Sequence, residues 1–274
     1  MPATPTRPHV GRLRLAPAAE RPDRPAAGFP DPAAPVVLFL PAHDEGRTVS
    51  AVVHRAPSQV CGRPVVVVVV DDGSTDDTAT QARAAGAVVI SGGRNEGLGA
   101  AVRRGLRYAV GSLGAAAVAF CDADGEYAPE ELESLVKPVL DDAADYVVGS
   151  RFSGHIERML PHRRFGNVVL TRWLSLCART PISDGQSGYR ALSASAAAHA
   201  EIVHDYNYAQ VLTLDLLGKG YRYAEVPISY RFRTEGRSFV RLGRYLRRVV
   251  PAVYTELNRP PTPFDAAPPE GVPA

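Results

Sequence analysis

The chain has 274 residues, 45% apolar and 22% charged, enough for one substantial core and ordinary for a globular enzyme. A formal net charge of +2 excludes a broadly basic nucleic-acid binder, so no nucleic-acid partner is expected and electrostatic arguments must rest on local clusters. Cys61, Cys121 and Cys177 are odd in number and lack metal-ligand spacing, which predicts reduced thiols and a cytoplasmic location. No apolar run approaches the roughly 18–20 residues of a membrane span, and the N-terminus lacks a signal-peptide pattern.

Residues 1–35 are rich in Pro, Ala and Arg without apolar periodicity, which predicts a disordered tail; the Pro-rich stretch 259–274 reads the same way. Between them, apolar runs alternate with helical patterns. Strands are expected at Val36–Leu40, Val65–Val70, Ala87–Ile90, Ala116–Phe120 and Tyr146–Val148. Six consecutive valines at 65–70 show no alternation, the mark of a strand covered on both faces. Helices are expected at Arg47–Ala56, Asp76–Ala85, Gly97–Val110 and Pro129–Leu140, the last opening on a proline suited to a first turn. This alternation predicts an α/β, Rossmann-like, mostly parallel sheet with helices on both faces.

Ligands of such sheets bind beyond the carboxyl ends of the strands, and three acidic loops fall there. They are Pro41-Ala42-His43-Asp44-Glu45, Asp71-Asp72-Gly73-Ser74 and Cys121-Asp122-Ala123-Asp124-Gly125-Glu126. Asp122 and Asp124, one residue apart, can together reach a hard cation such as Mg²⁺ or Mn²⁺, with Glu126 as a third oxygen ligand. An acidic turn capping a helix is the alternative for the same residues. Asp72 can reach a ribose or base, while a residue between Ser74 and Asp77 caps the following helix. His43 reads as a loop residue. The glycine-rich run Gly92–Gly99, containing Asn95, suits close backbone approach to an anion or a plain strand-to-helix turn.

Taken in order, LPAHDE (40–45), VVDDGSTDDT (69–78), RNEGLGAAVRRGL (94–106), FCDADGEYAPEEL (120–132), VVGSRF (147–152), DGQSGYRAL (184–192) and AEVPISYRFRTEGRSF (224–239) resemble the family 2 glycosyltransferases. The resemblance is to the dolichol-phosphate mannosyltransferase-like, polyprenyl-phosphate group. It implies a GT-A catalytic domain over 36–236, a nucleotide-sugar donor and a polyprenyl phosphate acceptor. Pro41, Ala42, Asp44, Glu45, Asp72, Asn95 and Ala123 would lie against the nucleotide-sugar. Asp122 and Asp124 would hold the metal with Glu126 near it. Arg151, Arg190 and Arg233 would meet phosphates, and Ser187, Gly188 and Tyr189 would shape the acceptor side. The chain departs from the family pattern at His43, Leu98, Glu126 and Phe239, which bears on the nucleotide and the acceptor more than on the fold.

Many inverting relatives take the acceptor proton with the Asp of a Glu-Asp dipeptide, and this chain contains no such dipeptide. A phosphate acceptor needs no base, since its second pKa near 6 leaves it largely dianionic at neutral pH. Asp184 keeps a hydroxyl acceptor open as a catalytic base. A non-catalytic nucleotide-sugar-binding module is a further alternative, against which the Asp122 and Asp124 pair argues. Residues 237–258 place Arg237, Arg241, Arg244 and Arg248 on one helical face and Leu242, Leu246, Val249 and Val253 on another. A basic amphipathic helix of this kind suits peripheral contact with an anionic membrane face.

Overall fold

The valine run does become a strand, β4 (Arg63–Asp71), whose last three valines are fully buried. In the computed structural model it pairs in parallel with β2 (Val36–Ala42) and with β5 (Val88–Ser91). β2 pairs in turn with β6 (Ala117–Phe120), again in parallel. The structure describes Asp31, residues 33–202 and 208–231, and the backbone of a two-residue strand, β1 (Arg14–Leu15). β1 pairs antiparallel with β9 (Tyr223–Tyr230), so part of the expected N-terminal tail adds to the sheet edge. Apart from Asp31 and residues 33–35, the remainder of that tail, the 237–258 helix and the 259–274 tail lie outside the described residues.

The expected helices form with small shifts: α1 (Val49–Arg55), α2 (Thr78–Ala84), α3 (Leu98–Arg107) and α4 (Leu132–Leu140). α3 runs on into a π-helical turn at Tyr108–Ser112, and Pro129–Glu131 forms a 3₁₀ turn ahead of α4. Beyond β7 (Tyr146–Ile156) come α5 (Pro161–Ala178), β8 (Arg190–Ser193), α6 (Ala194–His199) and α7 (Ala209–Gly218). β8 lies antiparallel between β6 and β7, and β7 pairs in parallel with β9. The sheet therefore runs β1-β9-β7-β8-β6-β2-β4-β3, with β3 (Gln59–Val60) at the edge and β5 also on β4.

Successive strand residues point to opposite faces, and β2 divides its side chains accordingly. Val36, Leu38 and Leu40 join one core with Val52 of α1 and Leu132 and Leu135 of α4. Val37 and Phe39 join another with Val102 and Leu106 of α3 and Leu212 of α7. Helices thus cover both faces, as the alternating pattern predicts. Cys61, Cys121 and Cys177 are free thiols. No described helix is long and apolar enough to cross a membrane.

Candidate active site at the strand ends

Because β4, β2 and β6 run side by side in parallel, their three acidic loops emerge together. The first two are laced to each other. Asp44, with a positive φ of 54°, accepts from the Thr75 N–H at 2.7 Å, and its own N–H donates to Ser74 Oγ at 3.0 Å. That Thr75 amide holds the Asp44 carboxyl below its ordinary value. The Glu45 N–H donates to Thr78 Oγ1 at 2.8 Å and the Gly46 N–H to Asp76 Oδ2 at 3.0 Å. His43 stays a loop residue, its Nδ1 3.1 Å from the Asp72 carbonyl.

Asp72 is 4% exposed. One of its oxygens accepts from the Glu96 N–H at 3.0 Å and the other from the Gly97 N–H at 2.8 Å. Its carboxylate holds the glycine-rich loop at the start of α3. Gly73 makes room for that loop: at φ +70°, a Cβ would lie 2.4 Å from the Arg94 backbone. Asn95 is exposed on the same loop. Pro41, Ala42 and Ala123 are buried.

The third loop carries the electrostatic tension. Asp122 is half-buried and accepts no hydrogen bond from the described residues, whereas Asp124 Oδ1 accepts from the Glu126 N–H at 3.0 Å. Desolvation first, then the neighbouring charges of Asp124 and Glu126, raise the Asp122 carboxyl to about 7, with Arg151 opposing. Burial and Asp124 likewise raise Glu126, against a hydrogen bond from Tyr230. That bond, from Tyr230 Oη to Glu126 Oε2, is 2.7 Å long. Among the described residues no three His, Cys, Asp or Glu side chains form a group that could hold a metal ion. A hard cation nonetheless fits the pair: Asp122 has an acidic oxygen without a donor, and Mg²⁺ characteristically takes one or two carboxylates and completes its shell from phosphate and water. Gly188 keeps the space narrow, since a Cβ there would lie 2.7 Å from Asp122 Oδ2. Its N–H donates to Tyr127 Oη at 2.7 Å.

On the acceptor side, Asp184 and Arg190 are both engaged within the protein. Asp184, the candidate base, is 0% exposed and grips Arg151 from both oxygens, with Nε at 2.7 Å and Nη2 at 2.9 Å. It also accepts the Arg151 and Gln186 N–H groups. So enclosed and so engaged, the carboxylate clamps Arg151. Arg151 is itself 6% exposed and lies over the Tyr230 ring at 5.2 Å, which leaves only its Nη1 edge to meet a phosphate. Arg190 points into the core at 0% exposure. It donates to the carbonyls of Ser187, Gly185 and Ala209 and to Tyr146 Oη, between the rings of Tyr146 and Tyr208. Its guanidinium holds the 185–190 turn from inside the core. Ser187 and Tyr189 are buried beside it. Arg233 lies outside the described residues.

Sequence reasoning passed over Glu225. It is 6% exposed, accepts the Ser183 and Asp184 N–H groups and the Tyr223 hydroxyl, and so fixes the clamp from below. The available signal was an acid inside the apolar run of Ala224-Glu225-Val226-Pro227-Ile228, since such acids are buried only with partners. Tyr127 and Tyr230, which frame Glu126 and Gly188, gave no comparable signal.

Comparison with known proteins places the chain in a family. The family described as "Glycosyl transferase family 2" matches residues 37–199. The UDP-N-acetylglucosamine–dolichyl-phosphate N-acetylglucosaminyltransferase of Methanococcus voltae is 35% identical over 111 residues, 40% of this chain and 44% of that one. The polyprenol monophosphomannose synthase of Mycolicibacterium smegmatis is 32% identical over 151 residues, 52% of this chain and 55% of the other. The alignments thus span only about half the length of these named relatives. An uncharacterised protein of Methanocaldococcus jannaschii is 34% identical over 200 residues, covering 70% and 80% of the two chains. Among solved structures, glucosyl-3-phosphoglycerate synthase from Mycobacterium tuberculosis, in complex with Mn²⁺, UDP and phosphoglyceric acid, superposes with a TM-score of 0.68 at 23% identity. That match covers 89% of this chain and 86% of the other, and it shows the shared fold, GT-A.

Proposed function

The chain belongs to glycosyl transferase family 2, and from that premise we propose that it moves a sugar, with inversion, from a nucleotide-sugar to a polyprenyl phosphate. Asp122 and Asp124 would hold Mg²⁺ or Mn²⁺, with Glu126 at the margin. Bound there, the cation would neutralise the diphosphate of the departing nucleotide. The backbone of Pro41, Ala42 and Ala123, with Asp44, Glu45 and Asn95, would line the base, ribose and phosphates. Asp72 serves the same end indirectly by holding the glycine-rich loop.

One observation carries the acceptor: Asp184, the candidate base, is locked on Arg151. A hydroxyl acceptor needs its proton removed, whereas a phosphate monoester arrives largely as the dianion. Arg151, held in place by Asp184, would offer Nη1 to an acceptor oxygen while its charge moderates the acids around Asp122. The names of the Methanococcus and Mycolicibacterium relatives, which refer to dolichyl phosphate and polyprenol monophosphomannose, support the same acceptor class. The Asp122 and Asp124 pair, placed to hold a cation where a diphosphate would depart, favours transfer over a module that only binds.

The test is transfer itself. Purified protein is incubated with Mg²⁺ or Mn²⁺, a panel of radiolabelled nucleotide-sugars and polyprenyl phosphate. Label extracted into the organic phase is the expected result; label appearing only on water-soluble acceptors would sink the proposal.

A further inference from the structure

The end of β9 is stitched by its backbone to the third acidic loop. Tyr127 and Tyr230 form an antiparallel bridge, and the Arg231 N–H donates to the Glu126 carbonyl at 2.8 Å. The Ser229 N–H donates to Glu131 Oε2 at 2.9 Å. These contacts hold the strand end whatever side chain stands at position 230.

The Tyr230 side chain adds contacts of another kind. It is 4% exposed, and its Oη donates to Glu126 Oε2 at 2.7 Å. Its ring lies beneath the Arg151 guanidinium, with Cζ 5.2 Å from the centroid. The ring also meets Tyr127 edge to face at 5.8 Å, and Tyr127 Oη accepts the Gly188 N–H beside Asp122. A single phenol therefore touches both the acid that flanks the Asp122 and Asp124 pair and the guanidinium of the acceptor side.

Each contact has a physical consequence. Glutamate has three rotatable bonds, and a carboxylate beside a bound cation is held in one orientation by its own hydrogen-bond donor. The Tyr230 hydroxyl is that donor for Glu126. A phenol that donates to a carboxylate also gains electron density on its ring, which strengthens the pull of the ring face on a guanidinium. We infer that Tyr230 is a positioning residue joining the two sides of the site. Its hydroxyl sets Glu126 at the edge of the cation's place, and its ring sets Arg151 for the acceptor phosphate. The inference rests on the metal and acceptor assignments proposed above and names one side chain on which both depend.

Tyr230→Phe removes the hydroxyl and keeps the ring, whereas Tyr230→Leu removes both. Mn²⁺ is titrated into full-length protein with UDP or GDP present, and the free ion is followed by electron paramagnetic resonance. Both variants should bind Mn²⁺ about tenfold more weakly than wild type. In transfer to polyprenyl phosphate, Tyr230→Phe should keep the acceptor KM within about twofold, and Tyr230→Leu should raise it about tenfold. Glu126→Ala should itself weaken Mn²⁺ binding, and adding Tyr230→Phe should cost nothing more, because the hydroxyl acts through that carboxylate. Wild-type Mn²⁺ affinity in Tyr230→Phe, or a further loss on top of Glu126→Ala, overturns the inference. So does a Tyr230→Leu variant with the wild-type acceptor KM, or one that loses Mn²⁺ where Tyr230→Phe keeps it, which would make the residue a packing group. Wild type that takes up no Mn²⁺ with either nucleotide refutes the metal assignment, and the inference falls with it. Wild type that binds Mn²⁺ but transfers to no polyprenyl phosphate refutes the acceptor, while the link from Tyr230 to Glu126 is decided by the Mn²⁺ titrations alone.

Discussion

Asp184→Asn separates a clamp from a catalytic base. The carboxylate meets the Arg151 guanidinium at 2.7 and 2.9 Å with both groups almost wholly out of water. At that separation, with an effective dielectric near 20, the gross attraction is about 6 kcal/mol, most of it offset by the desolvation of both ions. Removing only the acid leaves the guanidinium buried and uncompensated, and turns an amide N–H₂ towards its donors. The expected loss is about 3–5 kcal/mol in urea unfolding, with an unchanged slope. Against a total of roughly 5–15 kcal/mol this is a large fraction. Adding Arg151→Met should recover part of it, because the stranded charge is gone. Sugar transfer by Asp184→Asn should fall at every pH, through misplacement of Arg151. A stability loss below about 1 kcal/mol, with transfer lost in the way expected of a missing base, would refute the clamp.

Asp124→Ala should remove metal-dependent donor turnover, by about a hundredfold or more, and isothermal titration should show the loss of metal-dependent nucleotide binding. Without metal, the raised Asp122 carboxyl makes the folded state the better proton binder, so this group's contribution to stability should fall as pH rises from about 4 to about 7. Added Mg²⁺ or Mn²⁺ favours the ionised form, so the metal-induced shift in Tm should be larger at pH 8 than at pH 6; the opposite order would refute the pairing of Asp122 with the cation. Arg190→Met should destabilise by about 2–4 kcal/mol while leaving the donor KM of the surviving folded enzyme near wild type; a selective rise in KM would restore the phosphate role. Gly188→Ala should weaken metal binding, since its Cβ would sit 2.7 Å from Asp122 Oδ2, and unchanged metal titration would show that the loop can yield.

Local signals were sufficient for the front half of the fold. The valine run of β4, the proline opening the 129–140 segment and the strand-end acids are written within a few residues of one another. Strand ends in a parallel sheet converge whatever the details of the loops. The same logic puts Asp122 and Asp124 at the end of β6. It could not place the second half of the sheet, where β8 enters antiparallel between β6 and β7, because four residues at 190–193 carry no periodicity to read.

Side-chain roles divided along the same line. An arginine or aspartate in a family motif reads as a ligand contact, but burial decides whether its charge faces a ligand or a partner. Arg190 lies on β8 with its guanidinium among Tyr146, Tyr208 and three carbonyls, an environment assembled from distant segments of the chain. Asp184 owes its grip on Arg151 to a residue 33 positions away, and its own backbone to Glu225, 41 positions on. The sequence by itself determined the family, the parallel half of the sheet and the acidic pair at its edge, since these depend on local pattern and strand direction. Only the tertiary structure decided which charges are clamps and which remain open to a ligand, because that depends on what the rest of the chain brings within 3 Å.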